Sequence, residues 1–289
     1  MTGGGAWDHS TVGPYRLVSR LGEGGMGVVH LAVGPDDRAV AIKVLRAHVA
    51  ADPDARLRLA REVATLRRVR HPRVAEVLDA DVDGPVPYLV TRFVPGRTLD
   101  DLVRERGPMP LERVVHTGRV LADALRSIHA AGVVHRDVKP ANVMLPDDDP
   151  VLIDFGIAHV ADESRITMTG LVMGTPGYLS PEVVAGHPVT PATDWWGWGS
   201  TLAFAATGRA PFGTGPIEVV LDRVRRGDAD LTGLDPRLRS IVATALAAEP
   251  GTRPPADWLI GALEDVLTNR TANPAAAATV ATPAPGRPG

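Results

Sequence analysis

Cysteine is absent from this chain of 289 residues. That excludes disulfides, thiolate metal sites and cysteine nucleophiles, and it suits a reducing compartment. An excess of charge of one sign is also missing. The formal net charge of -3 gives no reason to expect nucleic acid or an anionic membrane as a partner. No apolar run reaches the ~18 residues of a membrane span. The nearest, Trp195 to Ala206, is short and is broken by Gly197 and Gly199. Met1 to Ser10 lacks a basic stretch followed by an apolar one, so no signal peptide is expected and the expected location is cytoplasmic. Repeats at solenoid periods are likewise absent.

What remains is ordinary for a soluble globular protein: 44% hydrophobic and 22% charged residues. The length allows one large domain or two modest ones. The glycine-rich start (residues 1–11) and the Ala/Pro-rich end (268–289) carry no period and are expected to be disordered.

Between the ends, the pattern changes character. Tyr15 to Leu45 reads as strands: Val28, Val29, Leu31 and Val33 follow a glycine-rich turn, and Ala39 to Leu45 is an apolar strand containing one lysine. Asp52-Pro53 reads as an N-cap with proline at the first helical position, opening a helix to about Arg70. Its many arginines read as a solvated face. Val74 to Asp81 and Tyr88 to Phe93 return to strand. Beyond them helices dominate. Val114, Gly118, Leu121, Leu125 and Ile128 draw one apolar stripe along Leu111 to Ala131. Thr193 to Thr207 is apolar on all sides and predicts a buried central helix. Leu238 to Ala248 and Ala256 to Leu267 are amphipathic. The expected class is α+β and bilobal: a β-rich N-lobe with one helix (12–94), a mainly helical C-lobe (95–267), and a cleft between them.

Four strings carry chemistry. Gly22-Glu23-Gly24-Gly25-Met26-Gly27 matches G-x-G-x-x-G. A dinucleotide fingerprint would lead into a helix, whereas here a strand follows, which fits a hairpin whose N–H groups lie over phosphates. In Val40-Ala41-Ile42-Lys43 the lysine is either an edge residue facing water or a phosphate contact held by a helix glutamate, for which Glu62 is the candidate. His135-Arg136-Asp137-Val138-Lys139-Pro140-Ala141-Asn142 cannot be a helix interior. It brings a base (Asp137), a cation (Lys139) and a metal ligand (Asn142) together at fixed offsets. His135 reads as packing rather than catalysis. Asp154-Phe155-Gly156, after the strand Val151 to Ile153, places a carboxylate at a strand end where it can ligate Mg²⁺.

In this order the strings resemble the eukaryotic-type (Hanks-type) serine/threonine protein kinases of bacteria, over residues 12 to 267. The resemblance implies transfer of the γ-phosphate of ATP, with Mg²⁺ or Mn²⁺, to Ser or Thr hydroxyls of protein substrates. It implies ATP contacts from Leu21 through Val29 (Leu21, Gly22, Glu23, Gly24, Gly25, Met26, Gly27, Val28, Val29) and from Ala41, Lys43, Thr91, Phe93, Val94 and Met144. Gly174 to Glu182 looks like the end of an activation segment that serves as a peptide platform. Within it Ser180 replaces the usual alanine and Thr175 fits the serine/threonine class, as does Lys139. Arg92 stands where many relatives have glutamate. Glu182 would pair with Arg253, and Asp194 would brace the catalytic loop. Thr167 and Thr169 are spaced like autophosphorylated threonines, with Arg136 as the residue that would pair with the phosphate. Phe155 and Gly156 join this regulatory and structural set. Kinase-lobe homodimerisation is compatible with the resemblance, though no residue argues for it. Two rivals stand: a scaffold with the fold but no chemistry, and a small-molecule phosphotransferase. The first predicts loss of Lys43, Asp137, Asn142 or Asp154. The second predicts loss of the Gly174 to Glu182 segment. Neither loss occurs in this sequence.

Overall fold

The computed structural model describes residues 11–24, 27–46, 53–156 and 175–268. Gly25, Met26, Thr167, Thr169 and Gly174 lie outside the described residues, as do both expected disordered ends apart from Thr11 and Thr268. The chain divides into two compact units, one comprising residues 1–68, 75–94 and 157–163, the other 69–74, 95–156 and 164–289.

The first unit is built on a six-stranded antiparallel sheet in the order β1-β2-β3-β4-β6-β5. Its strands are β1 (Thr11–Val12), β2 (Tyr15–Gly24), β3 (Gly27–Val33), β4 (Ala39–Leu45), β5 (Val77–Asp81) and β6 (Tyr88–Arg92). Strand alternation divides its side chains. Tyr15, Ala32, Val40, Ile42, Tyr88 and Val90 form a buried cluster, with the Tyr15 and Tyr88 rings edge to face at 5.7 Å. The Tyr15 hydroxyl donates to Asp79 Oδ2 at 3.0 Å. Burial and that carboxylate push the phenol up to about 12. Helix α1 (Pro53–Leu66), the one helix among the described residues of this unit, packs against β5 and buries Leu59, Val63 and Leu66 at steps of four and three. It stops short of the expected Arg70: Arg67 and Arg68 form a turn, and Arg67 pairs with Asp79 at 2.8 Å.

The second unit holds a small sheet, β7-β8-β9 (Arg97–Thr98, Val143–Leu145, Val151–Leu152), and a set of helices. Helix α2 (Leu99–Arg106) is capped by Thr98, whose hydroxyl accepts from Asp101 N at 3.0 Å. Helix α3 (Leu111–Ala130) buries the expected stripe and packs on the C-terminal helices. A short α4 (Pro181–Val184) precedes α5 (Pro191–Thr207). Every residue of α5 from Thr193 to Ala205 is buried. A reciprocal cap between Thr190 and Thr193 opens α5, and Gly208 in the left-handed region (φ 69°) closes it. Trp198 anchors it sideways, its indole N–H donating to the Gly118 carbonyl at 2.8 Å. Helices α6 (Ile217–Arg226), α7 (Pro236–Ala245) and α8 (Ala256–Leu267) complete the unit. Helix α7 ends at Ala245 rather than Ala248, since Ala247 onward turns into the 3₁₀ segment Pro250–Thr252.

Candidate functional site

In the first unit, register sorts the candidate residues. Directly opposed residues of antiparallel strands share a face. Val29 pairs with Lys43, Leu31 with Ala41, and Ala41 with Thr91. So Val29, Ala41, Lys43 and Thr91 share the sheet face opposite to the one bearing Val40, Ile42 and Val90. Leu21, Gly22, Glu23 and Gly24 lie at the end of β2, where Gly24 pairs with Gly27 across the hairpin. Glu23 is bonded to Arg20 and Arg46. The glycines differ. A methyl group at Gly22 or Gly24 would meet nothing within 4 Å, whereas one at Gly27 would lie 2.0 Å from the Val44 carbonyl oxygen. Gly27 is therefore required by the sheet, and the other two leave their backbone open to an approaching group. Glu62 is half-buried on α1, and Phe93 and Val94 follow β6.

The second unit gathers the loop residues tightly. Asp137 Oδ2 receives Lys139 Nζ at 2.7 Å and Asn142 Nδ2 at 2.9 Å, and Asn142 Nδ2 also donates to the Asp137 carbonyl at 2.8 Å. Burial pushes the Asp137 carboxyl up, but the Lys139 charge and these hydrogen bonds outweigh it and hold the group below the usual carboxylate range. The loop backbone is gripped from α5. Asp194, buried, accepts from His135 N at 2.8 Å and Arg136 N at 2.7 Å. Arg136 sits at φ 70° and Asp154 at φ 57°, a region costly for non-glycine residues and common at active sites.

His135 is fully buried. Its Nε2 bonds to the Ile153 carbonyl at 3.2 Å, and its ring packs on Phe155 at 4.9 Å. Burial lowers its pKa against three nearby aspartates, so it is held neutral. Gly156 N donates to the His135 carbonyl at 2.8 Å, and a methyl group there would press on Arg136 Cβ and the His135 oxygen at 3.1 Å. The Asp-Phe-Gly string is thus fastened to the His135 loop. Ile153 N bonds to the Asn142 carbonyl at 2.9 Å, and Val143 pairs with Leu152. Asn142 and Asp154 therefore flank the same end of the β8–β9 ladder. Met144 pairs with Thr98 and Val151 in the same small sheet.

These residues suit a divalent cation shared with phosphates. Among the described residues no group of three or more His, Asp or Glu side chains could hold a metal. Mg²⁺ needs none, because it keeps waters and takes one or two protein ligands beside the phosphates. With Asn142 Nδ2 committed to Asp137, its amide oxygen is the atom that could ligate a cation, and Asp154 places a carboxylate at the same end of the ladder.

Further along, Glu182 and Arg253 form a buried two-pronged pair, both contacts at 2.7 Å. Thr193 Oγ1 donates to Glu182 at 2.9 Å, and the guanidinium lies over the Trp196 ring at 5.1 Å. Burial raises the Glu182 carboxyl, but Arg253 more than reverses this and holds it below the usual range. Thr175 is exposed at the start of a 3₁₀ turn. Beside it a groove of about 810 Å³ is lined by Thr175–Tyr178, the end of α5 and the start of α6.

Two residues of this site escaped the sequence reading. His129 Nε2 lies 2.7 Å from Asp194 Oδ2. A methyl group on Gly197 would sit 2.5 Å from the Val138 carbonyl oxygen, so glycine lets α5 touch the loop. The glycine within a tryptophan-rich run was the available signal for the second; a histidine in the last turn of a helix gave little for the first.

Residues 15–259 match the family model described as "Protein kinase domain". The chain is 46% identical to the serine/threonine-protein kinase AfsK of Streptomyces griseus over 252 residues, which is 84% of this chain and 31% of that protein. It is 45% identical to AfsK of Streptomyces coelicolor, covering 86% and 32% respectively. Against the serine/threonine-protein kinase PknB of Mycobacterium tuberculosis the identity is 40% over 255 residues, or 83% and 40%. The chain spans roughly a third of the length of the curated relatives it matches.

Proposed function

Because the chain belongs to the protein kinase family, we propose that it transfers the γ-phosphate of ATP to serine or threonine hydroxyls of proteins. The observation that carries this reading is the Asp137 carboxylate, held ionised by Lys139 and Asn142 on a loop fastened to Asp194. An ionised carboxylate so placed accepts the proton of an incoming hydroxyl as its oxygen bonds to the γ-phosphorus and the bridging oxygen leaves with ADP. Lys139 keeps the base deprotonated and offsets charge on the transferring group. Lys43, supported by Glu62, serves the α- and β-phosphates, and the open backbone at Gly22 and Gly24 covers them. Asn142 and Asp154 would hold Mg²⁺ or Mn²⁺, which supplies charge neutralisation at the phosphates. ATP and a cysteine-free chain suit the cytoplasm.

The retained Lys43, Asp137, Asn142 and Asp154 argue against a scaffold without chemistry. The presence of the Gly174 to Glu182 segment argues for a protein acceptor over a small one. Thr167 and Thr169 remain our proposed autophosphorylation sites. Phosphopeptide mapping after incubation with ATP tests them, and an active chain carrying no phosphate on either would contradict that assignment.

The main test uses the purified chain, γ-labelled ATP, Mg²⁺ or Mn²⁺ and a generic basic protein, followed by acid hydrolysis of the products. Label on phosphoserine and phosphothreonine is expected. Absence of transfer, or label confined to phosphotyrosine, contradicts the reading.

A further inference from the structure

The β2–β3 ladder loses register at Leu21: Arg20 pairs with His30, but Gly22 pairs with Val29. One extra residue on β2 re-aims the side chains on either side of it. On a regular strand, residues three apart point to opposite faces. Here Arg20 is opposed to His30 and Glu23 to Val28, and His30 and Val28 are two apart on β3. The bulge therefore turns Arg20 and Glu23 to one face. Val28 is in turn opposed to Val44 on β4, and Arg46, just past the end of β4, reaches that face too. Arg20 Nη2 donates to Glu23 Oε2, and Arg46 Nη2 donates to Glu23 Oε1 at 2.5 Å. Both carboxylate oxygens are thus taken by cations, one from β2 and one from beyond β4, and the clasp crosses β3. It lies on the face of Ile42 and Val44, opposite to the face bearing Val29, Ala41 and Lys43.

This stretch has little else to hold it. Leu21 is 48% exposed. Gly22 and Gly24 have no side chain, and a methyl group on either would meet nothing within 4 Å. Glu23 is the side chain that ties residues 21–24 to the sheet. We propose that Glu23 and Arg46, with Arg20, are positioning residues for the nucleotide: their clasp holds the backbone of Gly22 to Gly24 from one face so that its N–H groups meet the phosphates on the other. This rests on the reading of the hairpin as a phosphate cover, but the clasp itself is independent of chemistry. Exposed ion pairs add little to global stability and are screened by salt, so the effect is local.

The test compares the unsubstituted chain with Arg46→Gln, Arg46→Lys, Glu23→Gln and the variant carrying both Arg46→Gln and Glu23→Gln. Transfer kinetics and amide hydrogen exchange of residues 21–24 in the nucleotide-free chain are both read, and circular dichroism establishes that each variant is folded. For Arg46→Gln we expect the KM for ATP to rise about threefold with kcat within about twofold, since Asp137 and its partners belong to the other unit. Exchange at Gly22, Glu23 and Gly24 should accelerate while amides in β6 are unchanged. Arg46→Lys keeps the charge and should recover most of both losses. Once Glu23→Gln has removed the shared partner, Arg46→Gln should add little. The difference between the parent and Arg46→Gln should close at about 0.5 M salt. Unchanged exchange at residues 22–24 in Arg46→Gln overturns the proposal. So does an Arg46→Gln effect of equal size with and without the Glu23 carboxylate, or a fall in kcat at constant KM. Faster exchange in Arg46→Gln, alongside an unsubstituted chain that transfers no phosphate, supports the clasp and removes the kinase reading, so the two fail separately.

Discussion

The side chains of Arg253 and Glu182 are 0% and 4% exposed, so neither charge can turn to water when its partner is removed. Glu182→Gln leaves Arg253 among the carbonyls of Ala247, Ala192 and Ala248, which solvate a cation without neutralising it. Breaking a buried pair in this way costs about 3–5 kcal/mol, and urea denaturation should show the loss as a lower midpoint. The pH dependence follows from the lowered Glu182 carboxyl. Its folded pKa is below the unfolded value, near 4.5. The contribution is therefore complete above that value and is lost as pH falls through the folded one. Glu182→Gln should show a shallower acid limb of stability than the parent. His135 works in the same direction by a different route. Held neutral when folded, it binds a proton more readily once unfolded, so stability should begin to decline as pH falls below the ordinary histidine value of 6.5. If His135→Asn keeps that decline unaltered, the buried neutral imidazole is not its source.

At the scale of elements, two glycines make different predictions from those a motif alone would give. Gly27→Ala brings a methyl group against the Val44 carbonyl and should destabilise the β3–β4 pairing, read as a lower melting temperature. Gly24→Ala meets nothing within 4 Å and should leave stability within about 0.5 kcal/mol, with its effect confined to the KM for ATP. Equal loss of stability in both would contradict the steric argument. Gly197→Ala should push α5 away from Val138 and lower kcat more than ATP affinity. Much of this architecture was legible in the sequence. The stripe along α3 and the all-round apolar α5 were, because burial imposes a period or removes one. Helix α6 was not. Ile217, Val219, Val220 and Val224 favour strand by propensity, and burial of Val220, Leu221 and Val224, with Gly227 closing the helix at φ 70°, decides otherwise. The strands β7 and β8 have two and three residues, too few to display alternation, whereas β9 was legible as the apolar strand Val151 to Ile153 and ends one residue earlier, at Leu152. Within the site, Asp137, Lys139 and Asn142 were legible because they are neighbours in sequence. The His129–Asp194 bond joins residues 65 positions apart, and only folding brings them together.

At the scale of the whole molecule, each unit is organised about its own core and carries its own share of the candidate residues. The sheet of the first presents Lys43 and the glycine hairpin. The second fixes Asp137, Asn142 and Asp154 to a buried central helix. Among the described residues no helix is long and apolar enough to cross a membrane. On this scaffold Asp137 is proposed to act as the base. It is tested most directly by comparing the unsubstituted chain with Asp137→Asn for phosphate transfer from labelled ATP to a protein acceptor, with nucleotide affinity measured separately. Transfer should slow by about a thousandfold in Asp137→Asn with ATP binding retained. Transfer by Asp137→Asn at a rate near that of the parent would contradict it.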